Sequence, residues 1–332
     1  MHASPESLHL AAVAKLAELA DKTLSAKDRV AIPPQEMPSQ DPAERRHNMS
    51  EVALGYSSEQ AMLESKRCLQ CKNAPCVQGC PVGIRIPDFL KAAADGRFDE
   101  AISIIRENSL LPAVCGRVCP QETQCQAPCT LGKALKDVDK AVSIGRVERF
   151  VADLQRESGK QGVPEVKPAT GKKVAVIGSG PASITVAADV RREGHDVTMF
   201  EAFHKPGGVL VYGIPEFRLP KRIVHKEIDT LIEMGVRLKT NFVVGRTRKI
   251  KDLIERDGFS AVFVGTGAGL PKFMNIPGEN LVGVFSANEY LTRSNLMKAY
   301  DTQHAHTPLY NSKKVAVLGG GPYSYFRYEA HL

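Results

Sequence analysis

Residues 68–81 read Cys68-Leu69-Gln70-Cys71-Lys72-Asn73-Ala74-Pro75-Cys76-Val77-Gln78-Gly79-Cys80-Pro81, and a second run follows as Cys115-x3-Cys119-x5-Cys125-x3-Cys129. All eight cysteines of the 332-residue chain lie in these two groups. A cubane iron–sulfur cluster needs thiolates converging from several directions, and a tight loop with cysteines a few residues apart wraps three of its corners. A Cys-Pro ending is a bacterial ferredoxin feature whose last cysteine serves the other cluster. The middle gap here is four residues, so the loop is a variant. Structural zinc, held by paired cysteines in sets of four, fits the first group alone. Two four-cysteine groups without a histidine among them, ahead of a dinucleotide motif, favour iron–sulfur. Disulfides are disfavoured because no export signal is present and a cytoplasmic setting keeps thiols reduced.

Outward from the cysteines, the flanking segments read as helices. Leu8 to Ala20 is an amphipathic stretch, followed by a Pro-rich connector (Pro33, Pro34, Pro38, Pro42) that cannot be regular for long. Ser57-Ser58-Glu59-Gln60 has capping-box spacing and starts a helix that delivers the chain to Cys68. Pro87 to Ala94 and Phe98 to Glu107 are two further helices, and Ala141 to Leu154 has helical periodicity. Glu157 to Lys172 is a polar linker.

From Lys173 the pattern alternates strand and helix. Val174–Ile177, Asp196–Phe200 and Val262–Val264 read as strands, and Ala182–Arg192 and Ile223–Met234 as helices, which implies a parallel sheet covered by helices. Gly178-Ser179-Gly180-Pro181-Ala182-Ser183 sits between the first strand and its helix. Gly178 permits the tight turn and Gly180 lets backbone approach a pyrophosphate at the helix N-terminus. Ser183 replaces the usual third glycine and is small enough for close helix packing. Glu201, 18 residues after Ser183, ends the next strand where an acid would bind ribose hydroxyls. The order of these elements indicates a dinucleotide without saying which. Gly207-Gly208 is either a turn or a close approach to a flavin, and Arg218 either a surface charge or a phosphate partner. A further strand is expected at Val315–Leu318, after a linker at 301–312.

The net charge of +7 is scattered, and its densest group, Arg246 to Lys251, is short. This reads as a solvated surface rather than a nucleic-acid site. No apolar run reaches the ~20 residues of a membrane helix, and no signal peptide is evident. A cytoplasmic protein without nucleic-acid or membrane partners is expected.

With these residues in hand, the chain closely resembles the small (beta) subunit family of NADPH-dependent glutamate synthase from about Glu51 to Gly321. The motifs that carry the resemblance are CLQCKNAPCVQGCPVGIRIPDF, VCGRVCPQETQCQAPC, GKKVAVIGSGPAS, GGVLVYGIPEFRLPK and AVFVGTGAGLPKFMNIPGENLVGVFSANEYL. The same module is found in the N-terminal half of dihydropyrimidine dehydrogenase. The resemblance implies a helical, ferredoxin-like domain with two 4Fe-4S clusters, an α/β Rossmann-type domain for FAD, and the start of a second nucleotide-binding domain for NADPH. It divides the chain into 1–56 (helix and connector), 57–156 (double-cluster domain), 157–172 (linker), 173–300 (FAD domain) and 301–332 (linker and start of the NADPH domain).

It implies further that Cys68, Cys71, Cys76 and Cys129 hold one cluster. Cys80, Cys119, Cys125 and Glu148 hold the other, leaving Cys115 as a non-ligand. By composition alone Glu148 would be a surface carboxylate of a helix. For FAD the resemblance points to Gly178, Ser179, Gly180, Pro181, Ala182, Glu201, Gly207, Gly208, Arg218 and Val244. In this family electrons pass from NADPH through FAD and the clusters to a large FMN-containing subunit, where glutamate forms from glutamine and 2-oxoglutarate. Alternatives are the corresponding subunit of a ferredoxin:NADP or sulfide-type oxidoreductase, and an iron–sulfur electron-transfer module without turnover. Gly319-Gly320-Gly321 opens the NADPH motif, but the aromatic-rich run from Pro322 departs from the family pattern. The chain is therefore expected to be truncated, with an incomplete NADPH site and little NADPH oxidation of its own.

Overall fold

The computed structural model describes residues 3–20, 22–159, 162–271, 273–305, 307–309 and 312–318. The chain forms two compact units, Met1–Gly162 and Val163–Leu332.

The first unit is helical. Helix α1 (Pro5–Leu19) is capped by the Ser4 side chain, and α2 (Ser58–Lys66) starts at Ser57 in a reciprocal capping box with Gln60. The connector between them contains two short helical pieces, Ala26–Ala31 and Pro42–Arg45, and a single antiparallel bridge between Ser39 and Ala53. Proline sits at the start of the second piece, where its missing N–H costs nothing. Helices α3 (Ile86–Ala94) and α4 (Phe98–Arg106) form an antiparallel pair with buried Phe89, Leu90, Ile102 and Ile105. Helix α5 (Pro112–Val118) lies against the long α6 (Ile144–Glu157). Helix α6 begins at Ile144 rather than Ala141, because the carbonyls and amides of 140–143 are engaged elsewhere.

That engagement is a buried ion pair. Glu64 and Arg67 are each fully enclosed, with Arg67 Nη1 2.6 Å from Glu64 Oε1. Arg67 also donates to the carbonyls of Ile32 (3.1 Å), Ala141 (3.0 Å) and Lys140 (2.6 Å). Glu64 accepts from the backbone N–H groups of Gln35 and Ser143, each at 2.8 Å. Two charges thus satisfy five backbone groups from separate chain segments, which is what makes their enclosure tolerable.

In the second unit, β1 (Lys173–Ile177), β2 (Asp196–Phe200), β3 (Arg237–Lys239) and β4 (Ala261–Val264) form one parallel sheet in the order β3-β2-β1-β4. Helix α7 (Pro181–Arg192) crosses between β1 and β2, and α8 (Val209–Tyr212) and α9 (Lys221–Glu233) lie between β2 and β3. Ala175, Ile177 and Phe200 pack with Leu253 and Phe259 on one side of the sheet, with Val244 at the margin of this cluster. The three-residue edge strand β3 is absent from the sequence reading; it is too short and too charged to announce itself.

One expected element is corrected. Val315–Leu318 is not a strand: no described residue pairs with it, and Val315, Val317 and Leu318 are 68%, 54% and 70% exposed. A strand exists through its neighbour's hydrogen bonds, and apolar composition cannot replace them. Gly319–Gly321 lies outside the described residues. Among the described residues no helix is long and apolar enough to cross a membrane.

Replacing Arg67 with Met strands the Glu64 carboxylate in the interior and should cost the first unit about 3–5 kcal/mol. Hydrogen-exchange mass spectrometry of the full chain should then show faster exchange across residues 32–35 and 140–143. Unchanged exchange there would contradict the central role of the pair.

Candidate cluster and dinucleotide sites

The loop from Cys68 to Cys80 is held in an uncommon backbone path. Gln70 and Ala74, neither of them glycine, have φ of +52° and +34°. Positive φ is strained for a side-chain-bearing residue and persists only where surroundings enforce it. Here it folds the loop back on itself, so that the Gln70 amide serves the Cys68 sulfur. The Gln70 side chain fastens the turn by donating to the Pro87 carbonyl at 3.0 Å. Arg29 adds two bonds to the carbonyls of Lys66 and Cys68, at 2.9 and 3.1 Å.

This path brings Cys68, Cys71, Cys76 and Cys129 together around one apolar hollow, walled by Leu69, Pro75, Pro87, Leu131 and Val142. Burial pushes the Cys68 thiol up to about 11 and the Cys76 thiol up to about 12. Without a cation such thiols stay protonated. A bound metal centre reverses this, since its charge deprotonates a coordinating thiol outright.

Cys80 goes the other way. An added Cβ on neighbouring Gly79 would lie 2.7 Å from the Gln124 carbonyl oxygen, so the loop meets the second cysteine group backbone to backbone. Cys125 consequently feels the charge of Cys80. Burial pushes the Cys125 thiol up to about 12, with the Glu148 carboxylate adding to it. Cys119 moves the opposite way, because a hydrogen bond from Cys115 favours its thiolate.

Glu148 completes this second group. It is 6% exposed, and its Oε1 is buried without a hydrogen-bond partner. Enclosure raises its carboxyl well above the usual range. Its placement depends on how closely α5 and α6 approach. An added Cβ at Gly116 would lie 2.6 Å from the Arg149 backbone nitrogen, so only glycine allows this crossing. Arg117 and Arg149 lock it through Glu51 and Asp153. Arg117 is 2.7 Å from Glu51 and 2.6 Å from Asp153, and Arg149 is 3.0 Å from Glu51. Sequence reading singled out none of Gly116, Arg117 or Arg149, although a glycine inside a helix next to a cysteine was a signal of close approach.

Among the described residues no group of three or more His, Cys, Asp or Glu is gathered around a single metal ion. A four-iron cube holds its ligands at separate corners and asks for a wider arrangement. An apolar hollow ringed by four thiols fits such a group. So does a second set of three thiols with an enclosed, unpaired carboxylate oxygen.

In the second unit the two glycine pairs meet. An added Cβ at Gly178 (φ +94°) would lie 2.4 Å from the Gly265 carbonyl oxygen, and one at Gly208 (φ +54°) would lie 2.7 Å from the Gly180 Cα. Gly180, the N-cap of α7, has open space where its side chain would be and no side-chain cap. Pro181 has no N–H and Ser183 is buried, so the exposed Ala182 at the uncapped end of α7 offers its amide to an anion. Pro181 and Ala182 begin the first turn of that helix. Ser183 donates to the Gly265 carbonyl at 3.3 Å, which ties the helix to the end of β4.

Glu201 is 5% exposed and its carboxylate is held from both sides. The Ser179 hydroxyl donates to Oε2, and the Phe203 N–H donates to Oε1 at 2.8 Å. Ser179 Oγ in turn accepts from the Gly207 N–H at 2.9 Å. The hydroxyl therefore couples the acid to both glycine turns, a role the sequence did not reveal. Lys221 is another such residue: its ammonium donates to the carbonyls of Leu210 (3.0 Å), Ile214 and Leu219 (3.1 Å), and burial lowers it to about 8. Arg218 is exposed, and Val244 is half-buried and forms a bridge with Arg248. The structure brings Gly178–Ala182, Glu201, Gly207 and Gly208 together, while Arg218 lies on the surface of the loop that Lys221 fastens.

Known proteins match this arrangement. A family described as dihydropyrimidine dehydrogenase domain II, 4Fe-4S cluster, matches residues 45–160, and one described as pyridine nucleotide-disulphide oxidoreductase matches residues 172–325. The glutamate synthase [NADPH] small chain of Azospirillum brasilense is 37% identical over 86% of this chain and 59% of its own length. The corresponding Escherichia coli protein is 36% identical over 83% of this chain and 58% of its own. The Escherichia coli NAD-dependent dihydropyrimidine dehydrogenase subunit PreT is 38% identical over 69% of this chain and 55% of its own. The chain thus spans somewhat more than half the length of these relatives. With its cysteine-bearing helical unit followed by a parallel sheet, the chain is a homologue of the glutamate synthase small chains and of PreT over the part of their length that it spans.

Proposed function

We propose that the chain belongs to the electron-input arm of an iron–sulfur flavoprotein, in which electrons pass from NADPH through FAD and two clusters to a partner subunit. The observation that carries this reading is Glu148. An enclosed carboxylate with an unpaired oxygen is costly as a structural element, and beside the Cys119 and Cys125 thiols it has the chemistry of a ligand.

On this reading Cys68, Cys71, Cys76 and Cys129 hold one 4Fe-4S cluster, and Cys80, Cys119, Cys125 and Glu148 hold the other. Cys115 is not a ligand. FAD is held by the Gly178–Ala182 turn, Glu201, Gly207, Gly208, Arg218 and Val244. When bound, FAD supplies hydride acceptance and the clusters supply one-electron relay. The chain's own residues bind and orient. The Ala182 amide at the start of α7 meets a pyrophosphate, Ser179 holds Glu201 toward a ribose, and the apolar wall around Cys68 and Cys76 excludes water. No general acid or base is needed for transfer between cofactors. The partner is the large FMN-containing glutamate synthase subunit, where glutamine and 2-oxoglutarate yield glutamate. The comparable identity to PreT supports a second reading, in which the partner is another redox subunit. Photoreduced chain mixed with each purified partner separates the two by which one is reduced.

Anaerobically purified protein should contain about eight iron atoms per chain with matching sulfide. Cys119→Ala should lose about half the iron, while Cys115→Ala should keep nearly all of it. Stoichiometric zinc without sulfide, or equal iron loss in the two variants, would overturn the ligand assignment.

The flavin site gives a separate expectation. Gly178→Ala places a methyl group against the Gly265 carbonyl at a backbone angle that alanine rarely adopts. FAD binding, followed by fluorescence quenching, should weaken at least about tenfold, the equivalent of ~1.4 kcal/mol. Undiminished affinity would remove the Gly178 turn from the site.

A further inference from the structure

The hollow ringed by Cys68, Cys71, Cys76 and Cys129 is uneven in polarity. Among its described lining residues other than the cysteines, Thr130 alone carries a hydrogen-bonding side chain; the others are Leu69, Pro75, Pro87, Leu131 and Val142. Thr130 Oγ1 lies 3.2 Å from Cys71 Sγ. The residue opens the helical turn Thr130–Ala134, whose N-cap is Cys129, so the turn that delivers one sulfur also aims a hydroxyl at another.

In the thiol form Cys71 donates to Thr130. A metal-bound thiolate has no proton left and can only accept, so the hydroxyl must then be the donor. Backbone amides already serve two of the other sulfurs, from Gln70 to Cys68 and from Val77 to Cys76. Hydrogen bonds to cluster sulfurs stabilise the extra negative charge of the reduced state and are among the factors that set its potential. The bond between Thr130 and Cys71 lies at the exposed rim of the hollow.

We propose that Thr130 is a positioning residue whose hydroxyl donates to the Cys71 sulfur and makes the cluster of Cys68, Cys71, Cys76 and Cys129 easier to reduce. This rests on the two-cluster reading above. The second site differs in its ligand set, where Glu148 takes the place of a thiolate at the same charge.

The test uses the full chain with its clusters reconstituted anaerobically, titrated electrochemically and followed by electron paramagnetic resonance. Thr130→Val removes the hydroxyl at nearly constant volume, and Thr130→Ser restores it. Thr130→Val should keep wild-type iron and sulfide while one of the two reduction waves moves to more negative potential. Thr130→Ser should bring that wave back. Two unmoved waves in Thr130→Val would overturn the proposal, as would loss of iron in that variant or failure of serine to restore the potential. A wild-type chain that takes up no iron and sulfide would overturn the cluster reading itself, and is seen before any variant is compared.

Discussion

The Glu64–Arg67 pair is the constraint on which the helical unit depends. Both side chains are fully enclosed, and between them they satisfy backbone groups of Ile32, Gln35, Lys140, Ala141 and Ser143. Arg67 precedes Cys68 directly, and Ser143 immediately precedes the helix that carries Glu148. One ion pair therefore fixes the start of the first cysteine loop and the start of the helix bearing the only carboxylate proposed as a ligand. Buried pairs contribute little net stability against apolar replacements. Their value here is geometric, since the five backbone groups have no other way to leave water at those positions.

Close backbone approach is the second constraint, and glycine carries it in both units. Gly116 lets α5 and α6 cross near Arg149, and Gly79 lets the first cysteine loop touch the second at Gln124. Gly178 and Gly208 do the same around the turn at Gly180. In each case the consequence is chemical. The crossing of α5 and α6 encloses Glu148 near the thiols, and the stacked glycine turns leave open space at Gly180, the uncapped start of α7. The charge of Arg117 and Arg149 is balanced by Glu51 and Asp153, so the network behind the second thiol group holds the helices without a large net field.

The electrostatics of the two thiol groups differ although their cysteine counts match. The first hollow is apolar, and burial, with neighbouring cysteines adding to it, raises the Cys68 and Cys76 thiols. The second holds an enclosed carboxyl, which raises Cys125 further, while Cys115 favours the thiolate of Cys119. Two groups that look alike in sequence thus present different environments to whatever they hold.

Local features were legible in the sequence by itself. The Ser57 capping box, the strand–glycine turn–helix order at Gly178, β2 and the split of the cysteines into two loops are all set by residues within a few positions of one another, so their physics is contained in a short window. Tertiary structure alone decided the rest. The edge strand β3 exists only because β2 offers it hydrogen bonds, and Val315–Leu318, with better apolar composition, is not a strand because no described residue pairs with it. The burial of Glu148, the Ser179–Glu201 contact and the Lys221 anchor join residues far apart in the chain or hidden within ordinary helical patterns. Their partners are fixed by how helices cross and loops meet, and no local spacing encodes that.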